Sequence, residues 1–121
     1  MAVRGVRGAT TVLEDRADLI LEATKELLSE ILKKNSAMQP KDIGSVIFSM
    51  TVDLKSVFPA QAARQIGWED VPLFCAQEIP VPKSLARCIR VLIHWNTRIS
   101  QKNIKHVYLR EAVRLRPDIA E

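Results

Sequence analysis

This chain has little of what most enzymes advertise. It holds 2 cysteines, 2 histidines and 4 glycines, and aromatic residues make up only 5% of it. Two thiols, Cys75 and Cys88, are too few for a disulfide scaffold and lack the C-x-x-C spacing of a metal or redox site, so both are expected to be free. His94 and His106 fall in strand-like segments without metal-ligand spacing, and no H-E-x-x-H is present; no metal is expected. Gly5 and Gly8 in the R-G-V-R-G stretch do not open directly onto a helix, which removes a nucleotide-binding loop. There is no Gly-x-Ser-x-Gly elbow and no phosphate-binding loop. Few aromatics leave few stacking platforms for single-stranded nucleic acid. No run approaches the ~20 apolar residues of a membrane span, and residues 1–11 carry two arginines but no apolar core of a secretory signal. A soluble, cytoplasmic protein without cofactor is expected.

What is present is a balanced globular composition, 47% hydrophobic and 26% charged. The 121 residues fit one domain spanning 1–121, long enough to bury roughly two thirds of the unfolded surface and small enough to gain from oligomerisation. The net charge of +4 is spread over many segments rather than gathered in a tract. That distribution disfavours a nucleic-acid module.

Val3 to Thr10 reads as a strand, and Thr11 with Glu14 forms a T-x-x-E capping-box candidate. From Asp15 to Lys34, Ile20, Thr24, Leu27, Leu28, Ile31 and Leu32 recur at helical spacing, with acidic residues at the start and Lys33 and Lys34 at the end. Asn35 to Asp42 reads as a loop and Ser45 to Thr51 as a strand. Phe58-Pro59-Ala60 opens a short helical turn through Arg64 that Gly67 ends. Val71 to Gln77, Leu85 to Thr97 and Lys105 to Leu109 are further strands, with a loop bracketed by Pro80 and Pro82, a turn at Ser100 to Asn103 and a final segment from Glu111 to Leu115. One long helix and about five strands predict an α+β domain, a mixed sheet covered on one face. No second layer remains for the other face, and another subunit is the natural cover.

Arginines stand where they do not belong. Arg90 interrupts Cys88-Ile89-Arg90-Val91-Leu92-Ile93, a run otherwise apolar on both faces, and a buried cation without an anionic partner is too costly to keep. Arg7 and Arg116 repeat the offence in Val3 to Gly8 and Val113 to Pro117. The planar guanidinium fork suits carboxylates and phosphates, so a small polyanionic ligand is expected. Arg7, Arg64, Arg90, Arg116, Glu78, Tyr108 and Cys75 suit binding and electrostatic stabilisation better than proton shuttling. Each also has a structural reading: Arg64 and Arg116 as surface residues with stems on apolar neighbours, Arg90 paired with a carboxylate such as Glu78, Tyr108 as a sheet aromatic, and Cys75 as a small buried hydrophobe.

Six separated blocks carry a more specific likeness: V-R-G-V-R-G-A-T-T-V at 3–12, F-P-A-x-A-x-R at 58–64, C-x-Q-E at 75–78, C-I-R-V at 88–91, H-V-Y-L at 106–109 and A-V-x-L-R-P-D at 112–118. Together, and in this order, they resemble the monofunctional AroH-class chorismate mutases. The resemblance implies a homotrimer with a barrel-like core, an active site in each cleft between subunits, and the Claisen rearrangement of chorismate to prephenate on the route to phenylalanine and tyrosine. It also implies roles. Arg90 resembles the arginine that meets the ether oxygen and a carboxylate; Arg7 and Tyr108 resemble the groups holding the enolpyruvyl carboxylate; Glu78 and the Cys75 segment resemble those binding the ring hydroxyl. Phe58, Ala60, Leu73, Phe74 and Leu115 would line the pocket, with Arg64 and Arg116 near its mouth.

The chain departs from the pattern at Gln61, where lysine often follows the F-P-A triplet, at Pro82-Lys83-Ser84, where a more glycine-rich turn is common, and at Glu121, which ends it without a longer tail. A trimeric arginine-lined binding protein, or an imine deaminase of similar architecture, is the competing expectation.

Overall fold

The structure is a computed structural model that describes residues 1–116. Within it β1 (Ala2–Thr11), α1 (Ala17–Lys34), β2 (Ile43–Met50), α2 (Ala60–Gln65), β3 (Leu73–Gln77), β4 (Cys88–Thr97) and β5 (Val107–Tyr108) follow in order, with 3-10 turns at Pro40–Asp42, Gln101–Asn103 and Arg110–Leu115. The five strands form one sheet in the order β3-β2-β4-β1-β5. β4 pairs antiparallel with both β1 and β2, whereas β1–β5 and β2–β3 are parallel. The expected mixed, five-stranded α+β architecture is what the chain adopts.

Strand alternation sets the two faces. Val6, Val46, Phe48, Val91, Ile93 and Trp95 point to the side covered by α1 and pack with Leu27, Leu28 and Ile31. Thr24 tolerates this apolar setting because its hydroxyl donates to the Ile20 carbonyl one turn back, at 2.7 Å. β1 lies close against α1 at Gly8. A Cβ there would lie 2.9 Å from Ile31 Cδ1 and 3.1 Å from both Leu27 Cδ1 and Val91 Cγ1.

Several boundaries differ from those the sequence predicts. The Thr11–Glu14 capping box does not form, since Thr11 is still in β1, where its hydroxyl accepts from the Glu111 N–H at 3.3 Å. Helix α1 begins at Ala17 rather than Asp15, without a side-chain cap. Asp15 is used elsewhere: its carboxylate accepts the N–H groups of Lys55 and Ser56 at 3.0 and 3.1 Å, and these bonds hold its pKa below the usual carboxylate value. β4 starts at Cys88 instead of Leu85 because the Asp53 carboxylate takes the Arg87 N–H, at 3.0 and 3.2 Å, while Arg87 turns to a φ of 48°. β5 is two residues long, not five. Pro117 and Asp118 of the last sequence block, and Glu121, lie outside the described residues.

Candidate active site

The face of the sheet away from α1 carries the polar residues. On β4, Arg90, Leu92 and His94 alternate with the buried Ile89, Val91, Ile93 and Trp95. Register places Arg90 opposite Ala9 of β1 and Ser49 of β2, and Leu92 opposite Arg7 and Ile47. The predicted burial of Arg90 is therefore corrected. Its strand is apolar on the helix side only, and on the open side its side chain is 49% exposed.

Its expected anionic partner is Glu78. After β3 ends, the Glu78 N–H donates to the Met50 carbonyl at 2.9 Å, which ties the residue to the end of β2 and brings its carboxylate over Arg90, at 3.6 Å from Nε. The Ser49 hydroxyl also donates to that carboxylate. One Glu78 oxygen is thus held from two sides. Because the pair is partly open to water, its contribution to stability is small. Its position matters more.

Arg7, Gly8, Ile47, Ser49, Glu78, Arg90, Leu92 and Tyr108 surround a cavity of about 250 Å³. Four predicted site residues, Arg7, Glu78, Arg90 and Tyr108, are thereby brought together from four separate segments. Tyr108 is fixed by β5 pairing beside Ala9 and by packing with Cys88, Ala112 and Leu115. Two guanidinium groups, a phenol and a carboxylate around one small space suit a polyanion that also carries a hydroxyl donor.

The other predicted residues do not line this cavity. Leu73 and Cys75 pack toward the helix-side core, Ala60 is within that core, and Phe74 is 65% exposed. Phe58, 68% exposed, precedes α2, and Arg64 lies exposed on α2. Leu115 borders a larger hollow of about 630 Å³, between residues 11–13, 83–87 and 111–115, that contains none of the four clustered groups. Arg116 lies near enough for its charge to act on His106. Cys88 is buried and its thiol is pushed up to about 11, chiefly by desolvation, with Arg90 pulling the other way. It is no nucleophile at neutral pH.

Sequence reasoning missed Ser49. The signal was available, because Ser45, Ile47 and Ser49 alternate with Val46 and Phe48 along β2, but nothing in the sequence set β2 beside β4 in the register that puts Ser49 across from Arg90.

With this geometry in view, comparison with known proteins is specific. The family described as chorismate mutase type I matches residues 3–119. The chain is 56% identical to the chorismate mutase AroH of Thermus thermophilus over 117 residues, covering 97% of this chain and 96% of the relative. It is 46% identical to the chorismate mutase AroH of Bacillus subtilis (strain 168) over 121 residues, covering 99% and 94%. A solved chorismate mutase from Clostridium thermocellum superposes with a TM-score of 0.87 at 50% identity, over 89% of this chain and 96% of that one. A match that runs through β1 to the last described turn, with Arg7, Glu78, Arg90 and Tyr108 inside it, leaves one assignment: the chain belongs to the chorismate mutase type I family.

Proposed function

We propose that the protein rearranges chorismate to prephenate in clefts completed by neighbouring subunits of a trimer, in the cytoplasm. The observation that carries the reading is the convergence of Arg7, Arg90, Tyr108 and Glu78 on one 250 Å³ cavity, combined with the family to which the chain belongs. The binding-protein and imine-deaminase readings have no such support.

A [3,3] rearrangement breaks a C–O bond and forms a C–C bond within one molecule, so the site has no proton to transfer and needs no nucleophile. Two tasks remain. The flexible enolpyruvyl arm must be held over the ring, and the negative charge that grows on the ether oxygen must be met by a fixed donor. Arg7 and Tyr108 take the arm's carboxylate. Glu78, its oxygen steadied by Ser49, accepts the ring hydroxyl, and Arg90 turns its guanidinium to the ether oxygen and a carboxylate. The Glu78–Arg90 contact aims both groups into the same space before substrate arrives.

The opposite wall is assigned to a neighbouring subunit. Phe58, Arg64 and Phe74 are exposed in this subunit and do not line the cavity of the four clustered groups. A partner presenting these residues, with Ala60, Leu73 and Cys75 beneath them, would roof the open sheet face, while Leu115 and Arg116 would border the entrance.

The test is to mix purified protein with chorismate in a chelating buffer and follow prephenate formation. Acceleration over the spontaneous reaction is expected without any additive. Folded protein that gives no acceleration removes the reading.

A further inference from the structure

The edge of β1 beyond β5 is finished by side chains rather than by a strand. Parallel pairing with β5 covers only Gly8 and Ala9. Toward the start of β1, the Gln101 amide donates to the Gly5 carbonyl at 2.7 Å and accepts the Gly5 N–H at 2.9 Å, and the next N–H on this edge, that of Arg7, donates to His106 Nδ1 at 2.9 Å. A backbone N–H in the partly buried edge of a sheet needs an acceptor, and an imidazole nitrogen here replaces the carbonyl that a longer β5 would supply. Because Nδ1 accepts, the proton of the neutral ring sits on Nε2.

We infer that His106 is a positioning residue of the active site, holding the backbone of Arg7 so that its guanidinium enters the cavity, and that it does so only as the neutral imidazole. The inference rests on the chorismate reading, in which Arg7 grips the enolpyruvyl carboxylate. A neighbouring link is already made by Tyr108, whose strand pairs beside Ala9, so His106 extends the same clamp by one step along β1 toward Arg7.

Protonation turns Nδ1 into a donor facing a donor, and the bond must break. The surroundings oppose that event. Partial burial lowers the pKa of His106 from the usual histidine value, and the charges of Arg7, from β1, and Arg116, from the segment after the last 3-10 turn, lower it further. The link is therefore favoured at neutral pH and is lost as the pH falls below the usual histidine value.

Two substitutions separate positioning from bulk. His106→Leu keeps volume but has no acceptor, whereas His106→Asn places an amide oxygen near the position of Nδ1. With chorismate at neutral pH, His106→Leu is expected to lose on the order of tenfold in kcat/KM, the scale of one hydrogen bond, while His106→Asn stays within about threefold of wild type. In an Arg7→Ala background, His106→Leu should cost little more, because the two act as one unit. Wild-type kcat/KM should fall at acid pH, below the ordinary histidine value, along a limb that His106→Asn lacks. If His106→Leu does not fold, this pH comparison alone decides. Equal losses in the Leu and Asn variants, an undiminished Leu effect without Arg7, or identical acid limbs in wild type and His106→Asn would each overturn the inference. Inactive wild-type protein at neutral pH would instead remove the chorismate reading, and this inference with it.

Discussion

A guanidinium at position 90 does what an ammonium cannot. In the proposed mechanism its fork meets the ether oxygen and a carboxylate together while Nε stays beside Glu78, so Arg90→Lys is expected to remain impaired by about 10²-fold in kcat, close to the cost of removing an oxyanion donor altogether. Steady-state turnover of chorismate checks this, and a lysine variant within a few-fold of wild type would contradict the role. Ser49 is a sharper probe, because its hydroxyl donates to the Glu78 carboxylate. Ser49→Ala should lower kcat/KM by up to about tenfold, the scale of a hydrogen bond to a charged group, with little change in melting temperature. A Ser49→Ala enzyme with unaltered kcat/KM would separate Glu78's position from catalysis. Cys88 gives a contrasting outcome: a buried thiol raised to about 11 should resist alkylation at pH 8 in folded protein, as mass spectrometry of labelled protein would show.

Among elements, β1 meets α1 closely at Gly8. Gly8→Ala places a methyl within 2.9 Å of Ile31 Cδ1 and 3.1 Å of two further core methyls, and such overpacking is expected to cost about 1–3 kcal/mol. Denaturant unfolding measures it; an unchanged midpoint would mean the helix yields freely. The same elements show what a sequence can tell. The faces of β4 and the apolar stripe of α1 were legible because periods of 2 and 3.6 belong to the local chain, and Arg90's need for an anion was legible because charge in an apolar strand is conspicuous. Element ends were not. β4 starts late because Asp53, 34 residues earlier, captures the Arg87 N–H, and the Thr11–Glu14 cap yields to strand pairing and to Glu111. Those competitors are distant in sequence. Ser49 escaped for the same reason, since strand order and register are long-range facts.

At the scale of the molecule, the sheet has one face under α1 and another that carries the clustered polar groups together with Ile47 and Leu92. The proposed trimer covers that face. Light scattering at assay concentration should give three times the 13.6 kDa chain mass, and a fully active monomer would defeat the shared-site proposal. Mixed refolding adds a functional check. Arg90→Ala chains combined with Arg64→Ala chains should regain activity absent from either alone, because some clefts then receive both intact walls. Failure of the mixture to exceed its two components would place Arg64 and Arg90 in the same half of the site, or Arg64 outside it.

The central claim, that chorismate reacts against the Arg90 cluster, is tested most directly by comparing kcat/KM for chorismate between wild-type protein and a folded Arg90→Ala variant of the same oligomeric state. Wild type should accelerate prephenate formation without cofactor or metal, and Arg90→Ala should lose at least about 10²–10³-fold. Near-normal turnover in the variant, or no acceleration by wild type, would contradict the account.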